Sequence, residues 1–427
     1  MATRAGLASP AFKTSGIDQF LAALIFAAIP FGPVINIGTS GRGAHVALAQ
    51  VLTFVLALHL AFTKLASITS FKTGLGFGLG LVLIMAPALF IAPDIAPAAV
   101  AYFNYSTGVV GGIVIGMAWA RSERHTLGVI DAGLAAFLLL GTAQLLTGFL
   151  GASSLNSLHQ NAQTPWGNSN YVAACLVVGA FVLLARGLET HSFRRVLVPV
   201  IAAIIVAMLT LSRGAALSMA VGAAVLLWTA GTRPWQKSIL RLCSIFLPIL
   251  AIYMVTQLED LRYQGSSHAN SNIESRLKLF NAAWADFVES PWFGNGWISF
   301  RSVSAGAVEE QSFAHNFLLS FLQIGGIFLG LLTVVIFLAL MIRAIRRNPY
   351  IAPPLFAAFA ISMSDPFFES TVANLLTLSA VFFSLTRPGT TNGSVPTHFQ
   401  GKAEHRSKPS LQALQYSSST VRRVPRS

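Results

Sequence analysis

A few residues in this 427-residue chain have the side chains that group-transfer chemistry needs. Arg213 stands in Leu211-Ser212-Arg213-Gly214-Ala215, Arg276 and Lys278 in Ser275-Arg276-Leu277-Lys278, and Arg301 a little further on. His315 sits in Ala314-His315-Asn316-Phe317, and Asn168 and Asn170 form an Asn-x-Asn pair within Trp166-Gly167-Asn168-Ser169-Asn170-Tyr171. A guanidinium is a planar, permanently charged fork that pairs with phosphate or carboxylate oxygens. An imidazole, with an ordinary pKa of about 6.5, is well placed to take up a proton near neutral pH. No Asp-x-Asp pair or His/carboxylate cluster accompanies these residues, so positive charge is expected from side chains, with no metal and no cofactor.

The elements that must position these groups are membrane spans. Hydrophobic residues make up 54% of the chain and charged ones 10%, with a mean hydropathy of +0.66. A water-facing domain carries roughly 25% charged residues, so a soluble enzyme, a coiled coil and a disordered chain are all excluded. Apolar runs long enough to cross a bilayer lie near 17–37, 44–63, 74–92, 99–120, 128–150, 169–185, 196–211, 214–231, 240–257, 313–342, 350–364 and 367–386. The sequence therefore predicts an all-α integral membrane protein with about twelve transmembrane helices. It divides into an N-terminal segment (1–16), spans one to nine (17–257), an outer loop (258–312), spans ten to twelve (313–386) and a disordered basic tail (387–427). The tail is rich in Ser, Thr, Pro, Gln and basic residues, a composition suited to anionic lipid headgroups.

Orientation follows from the 28 Lys and Arg residues. With both termini in the cytoplasm, 22 of them fall on the inner side. Only Arg42, Arg213, Arg262, Arg276, Lys278 and Arg301 fall outside, so the net charge of +13 reflects topology and not nucleic-acid binding. Asp94, Glu259, Asp260, Glu274, Asp286, Glu289, Glu309, Glu310, Asp365 and Glu369 show the opposite bias. The outer cations run against the topogenic trend and call for another role. Cys175 and Cys243 both lie in apolar segments and read as small hydrophobes, not as a disulfide or a thiolate metal site. No cleavable signal peptide is evident.

The outer loop has structure of its own. Ser271-Asn272-Ile273-Glu274 has capping-box spacing and predicts a helix start. Leu277, Phe280, Trp284, Phe287 and Val288 then recur as one apolar stripe, until Ser290-Pro291 ends the helix and Phe293-Gly294-Asn295-Gly296-Trp297 turns the chain. Such an amphipathic helix suits the bilayer surface.

Together with Gln323-Ile324-Gly325-Gly326, these blocks fall in an order and topology that resembles the O-antigen ligase family of bacterial envelope proteins. That family also includes O-antigen and exopolysaccharide polymerases and protein O-oligosaccharyltransferases. The likeness covers roughly residues 160–345; upstream spans match only in hydropathy and number. It implies a glycosyltransferase of the bacterial inner membrane with its active site facing the periplasm. A glycan would pass from an undecaprenyl-pyrophosphate-linked donor to the hydroxyl of a glycan or lipid A–core acceptor, without metal, nucleotide or other cofactor. The family's two essential arginines fall on Arg213 and Arg276 and its essential histidine on His315, while Asn168 and Asn170 fall on a block whose role is less defined. Lys278 and Arg301 are candidate contacts to the anionic donor.

Plainer readings compete at each position. Arg213 also fits an interfacial residue that snorkels to the headgroups, Arg276 a surface ion pair with Asp286 or Glu274, and His315 a helix cap. Trp166, Trp284, Trp292 and Trp297 suit sugar stacking or the interfacial aromatic belt. Asp131 is the one acid well inside a span, and its expected role goes no further than polar packing. Two other functions stay open: a transporter or flippase for a lipid-linked saccharide, or a non-catalytic partner in polysaccharide assembly.

Overall fold

The computed structural model describes residues 16–37, 44–62, 69–122, 126–150, 164–210, 212–229, 234–263, 268–297, 314, 316–365 and 367–386. His315, Arg301 and the basic tail lie outside them, so the expectations placed on those residues are not addressed by the fold.

Helices dominate. In chain order they are α1 (Gly16–Ala28), α2 (Leu48–Phe62), α3 (Thr69–Met85), α4 (Pro87–Ile91), α5 (Ile95–Trp119), α6 (Val129–Leu150), α7 (Ser169–Glu189) and α8 (Phe193–Leu209). There follow α9 (Arg213–Thr229), α10 (Pro234–Tyr263), α11 (His268–Glu289), α12 (Phe317–Gly325), α13 (Leu332–Arg347), α14 (Ala352–Ser362) and α15 (Thr371–Thr386). Among the described residues five stretches are long and apolar enough to cross a membrane: Gly74–Ile91, Ile95–Trp119, Val129–Leu150, Ser169–Glu189 and Phe317–Arg347. Shorter apolar helices occupy several of the remaining expected spans, including Leu48–Phe62, Arg213–Thr229 and Thr371–Thr386.

The all-α expectation needs one correction. The run 17–37 is not a single span, because the helix ends in a 3-10 turn at Ile29–Phe31 and the chain becomes a strand, β1 (Pro33–Ile37). β1 pairs antiparallel with β2 (Ala44–Ala47), Asn36 opposite His45, with an irregularity between Pro33 and Ile35. The cause is local. Pro30 and Pro33 withhold backbone donors, Gly32 turns at φ +67°, and the β-branched Val34, Ile35 and Ile37 favour an extended chain. A second correction concerns the loop helix. It begins at His268, so Ser271 lies inside it and is not its cap. Its end at Glu289, just before Ser290-Pro291, is where the sequence places it.

α7 is the central post, 83% buried, and packs against α6, α8, α9, α14 and α15. Its sequence is apolar on every face, as a helix surrounded by others requires. The tightest seam lies between α5 and α15. Gly108, Gly112 and Gly116 recur every fourth residue on α5, and a methyl group on each would meet the carbonyl oxygens of Thr371 at 2.8 Å, Asn374 at 2.6 Å and Ser379 at 2.5 Å. Small residues at this spacing let two helix backbones touch, the usual device where no water drives association. Outward-facing Phe54, Leu58, Phe77, Leu83, Val198, Ile205, Phe246, Phe328 and Val335 form the apolar exterior that lipid would coat.

At one end of the bundle, Arg186 is buried against Asp131 (Nε–Oδ1 3.1 Å) and Glu189 (Nη1–Oε2 2.7 Å), with its guanidinium 4.7 Å from the Phe383 ring centre. Trp119 donates to the same Asp131 at 3.2 Å. Asp131 is therefore half of a buried ion pair, and Arg186 a structural strut.

Candidate active site

The opposite end collects the starts of α7, α9, α12 and α15. α9 begins at Arg213, and Gly214 presses the hairpin onto the turn after α14: a methyl group at Gly214 would lie 2.5 Å from Asp365 Oδ2 and 3.3 Å from Ser364 Oγ. Arg276 reaches the same turn from α11. Its Nη2 donates to Asp365 Oδ1 at 3.3 Å and its Nη1 to the Ser364 carbonyl at 3.3 Å. Two arginine-bearing segments 63 positions apart in the sequence therefore meet on one acidic turn. The ion pair of Arg276 is thus made with Asp365 on a distant turn, where its sequence neighbours pointed to an acid of its own helix. The guanidinium remains 31% exposed and has five N–H donors, of which two are engaged here.

The docking of α11 explains why Arg276 sits where it does. Its buried face runs through Leu279, Ala283 and Asp286, while Leu277, Phe280, Trp284 and Val288 all face outward. Asp286 is fully buried; its Oδ2 accepts from Gln323 Nε2 at 2.8 Å and its carbonyl from Asn295 Nδ2 at 2.8 Å. Beyond the helix, the Gly-Asn-Gly turn docks by backbone hydrogen bonds: Asn295 N–H donates to the Gln323 carbonyl, Gly296 to Ile324 and Trp297 to Ala88. Gly294 and Gly296 have φ of +70° and +81°, and each backs onto main chain with no room for a side chain. Two sequence blocks singled out separately, Phe293–Trp297 and Gln323–Gly326, are thus one joint. Trp297 is buried in it against Tyr102 and Tyr105, and so serves packing and not sugar stacking.

Ala314 packs with Ala283 of α11 and Leu319 of α12, so the chain flanking His315 meets the same helix that carries Arg276. Asn316 caps α12, its Oδ1 accepting from Leu319 N–H at 3.1 Å. Asn168 does the same for α7, accepting from Tyr171 N–H at 2.9 Å. Capping is therefore the evident work of that carboxamide oxygen. Asn170 has a buried Oδ1 without a hydrogen-bond partner, and Lys278 is exposed on α11.

Sequence reasoning passes over three groups here. Asp365 and Glu369 figure in it only as outer acids, yet both stand on the linker 363–370 between α14 and α15. Glu369 is 4% exposed, and both carboxylate oxygens are shut away from solvent. Burial pushes its pKa up to about 7, opposed by hydrogen bonding from the Ser320 hydroxyl of α12 and from its own backbone. The third group is a polar network: Gln50 Nε2 donates to Asn104 Oδ1 at 2.8 Å, Thr371 Oγ1 to the Asn104 carbonyl at 2.9 Å, and the Tyr171 hydroxyl to Ser370 Oγ at 2.7 Å. An acid in a run ending Asp-Pro-Phe-Phe-Glu-Ser is the available signal, since a charge so close to a span must be exposed or used.

Glu369 and this network line a cavity of about 400 Å³ together with Trp166, Asn168 and the start of the β-hairpin. Trp166 is held by a hydrogen bond from its Nε1 to Gln144 Oε1 at 2.9 Å.

Comparison with known proteins bears on residues 198–334, which match the family model described as O-Antigen ligase. The match includes Arg213, Arg276, Lys278, Arg301 and His315, and excludes Asn168, Asn170, Asp365 and Glu369. A search of curated proteins finds no matching relative. The family is one of bacterial membrane proteins that transfer glycans in the ligase or polymerase manner. Over residues 198–334 the chain is thus similar to the O-antigen ligase family.

Proposed function

We propose that the protein transfers a glycan from an undecaprenyl-pyrophosphate-linked donor to an acceptor hydroxyl at the periplasmic face of the bacterial inner membrane, without a metal. The observation that carries this reading is the meeting of the Arg213 hairpin and Arg276 on the turn at Ser364 and Asp365.

Breaking the bond between the anomeric carbon and the diphosphate leaves an electron pair, and a full negative charge, on the departing oxygen. Guanidinium groups placed beforehand stabilise that charge as it grows. Asp365 orients the Arg276 fork, whose exposed side can meet phosphate oxygens; Arg213 supplies the second cation across the hairpin. His315 takes the acceptor proton as the new glycosidic bond forms, and a single displacement inverts the anomeric centre. Lys278 and Arg301 add to the positive field around the donor, and Asn168 and Asn170 border the acceptor side. The Lys and Arg distribution along the sequence, read with both termini inside, supports setting this end of the bundle toward the periplasm. The acceptor is a second lipid-linked glycan or lipid A–core, as in a polymerase or a ligase.

Purified protein in detergent, given lipid-linked glycan and candidate acceptors, is expected to form product with or without a chelator. Arg213→Ala, Arg276→Ala and His315→Ala should each lower the rate by at least a hundredfold, in the range seen when an oxyanion-stabilising donor or a general base is removed. Wild-type rates in any of the three variants remove that residue from the mechanism. Activity without a sealed membrane sets aside transport as the sole function.

A further inference from the structure

We propose that the hairpin of α9 and α10 holds an anionic phospholipid, its phosphate between Lys237 and Arg241 and an acyl chain along the exposed side of α10. The site lies at the end of α9 away from Arg213 and takes no part in the proposed transfer.

Charge in this part of the chain is one-sided. From Thr190 to Leu258 the sequence has no Asp or Glu, while it has Arg194, Arg195, Arg213, Arg233, Lys237 and Arg241. Lys237 and Arg241 are both exposed, and among the described residues no carboxylate pairs with either. Arg241 is held instead on Trp228 of α9, its guanidinium 5.3 Å from the ring centre. Such stacking uses the face of the guanidinium and leaves its edge donors for an anion. Lys237 stands one helical turn before Arg241, on the same side of α10. Arg186, at this same end of the bundle, shows the contrast, since its charge is met within the protein by Asp131 and Glu189.

The same side of α10 changes character along its length. Counting on from Arg241 in fours gives Ile245 and Ile249, both exposed, with Leu242 and Phe246 exposed beside them. The rise from Arg241 to Ile249 is about 12 Å, most of the depth of one leaflet's hydrocarbon, which is about 15 Å. Two cations followed by branched apolar side chains match a molecule with phosphate at one end and hydrocarbon at the other. A free phosphate would leave the isoleucines without a use. Setting topology requires only that cations lie on one side of the membrane. It does not require one of them to be seated on an indole at the head of an apolar row.

The test uses the full chain in detergent, with native mass spectrometry counting the lipid that stays bound as phosphatidylglycerol or phosphatidylcholine of the same acyl chains is added. Phosphatidylglycerol is expected to bind at least fivefold more tightly, roughly the effect of one basic side chain near an anionic headgroup. Lys237→Ala with Arg241→Ala should reduce that preference to less than twofold, and Trp228→Leu should reduce it in part. Phosphatidylcholine binding should stay as in the wild type, which shows that the variants are folded. Arg422→Ala with Arg423→Ala, in the basic tail, should leave the preference intact. No preference in the wild type overturns the proposal, as does a preference that survives the loss of both Lys237 and Arg241 or disappears with the two tail arginines. Displacement of the bound lipid by excess glycerol 3-phosphate would make the headgroup alone the ligand and would overturn it equally.

Discussion

At Glu369, burial and charge oppose each other, and the opposition has a sign that can be measured. An ordinary glutamate ionises near 4.5, and this one near 7 because its charged form is desolvated. Between those values the folded chain holds a proton that the unfolded chain has lost. Stability is therefore fully present below the lower value, declines as pH rises toward 7, and levels off above it. The shift corresponds to a loss on the order of 3 kcal/mol. Thermal unfolding of the wild type is expected to move to lower temperature between pH 5 and 7.5. Glu369→Gln should flatten that part of the profile; an unchanged slope would mean that the carboxyl is hydrated. The neighbouring Asp365 plays a different part. On the same linker it faces a guanidinium, and its charge is compensated where that of Glu369 is not.

Among the elements, what can be read from the sequence divides along a physical line. Hydropathy locates the helical segments, because burial in lipid or in a bundle demands apolar residues over a fixed length. The end of α11 and its apolar stripe are equally plain, as are the turn glycines, since periodicity and φ > 0 are local properties. The partners are not. That Gly294 backs onto Ile324, that Arg276 pairs with Asp365 and that Glu369 borders Trp166 are long-range facts with no local mark. His315 and Arg301, central to the expectation, lie outside the described residues. The start of α11 falls earlier than expected because a capping-box spacing is short enough to occur within a helix. The hairpin at Pro33–Ile37 escapes a hydropathy reading because Val and Ile suit a span and a strand alike.

The glycine row on α5 is also legible, as a spacing of four, though only the structure shows what it touches. Its energetic role can be tested. Gly112→Val would drive two methyls into the Asn374 carbonyl and the Leu378 side chain, a case of overpacking that typically costs about 1–3 kcal/mol. The expected result is a lower unfolding temperature and looser packing of α15, read by faster backbone hydrogen exchange there. Stability equal to wild type would show that the two helices can separate freely.

Over the whole molecule the two ends are built on contrary principles. One end pairs a buried charge closely: Arg186 has Asp131, Glu189 and two aromatic faces. Replacing it by Met would strand Asp131 as a buried, uncompensated charge, and loss of one partner from such a pair costs about 3–5 kcal/mol. Arg186→Met should unfold at clearly lower temperature, and Arg186→Met with Asp131→Leu should recover much of the loss; failure to recover would argue against a simple strut. The other end leaves Arg276 nearly a third exposed, on the side where the donor is proposed to bind.

The outward apolar row on α11 carries one more consequence. The helix that aims Arg276 is gripped on one side by Gln323 and Ala314 and presents Leu277, Phe280, Trp284 and Val288 on the other. Its tilt is then a compromise between a protein socket and a surrounding medium. A thicker or thinner coat of amphiphile would rock the guanidinium relative to the hairpin, so turnover would report on the solvent shell as much as on the chain.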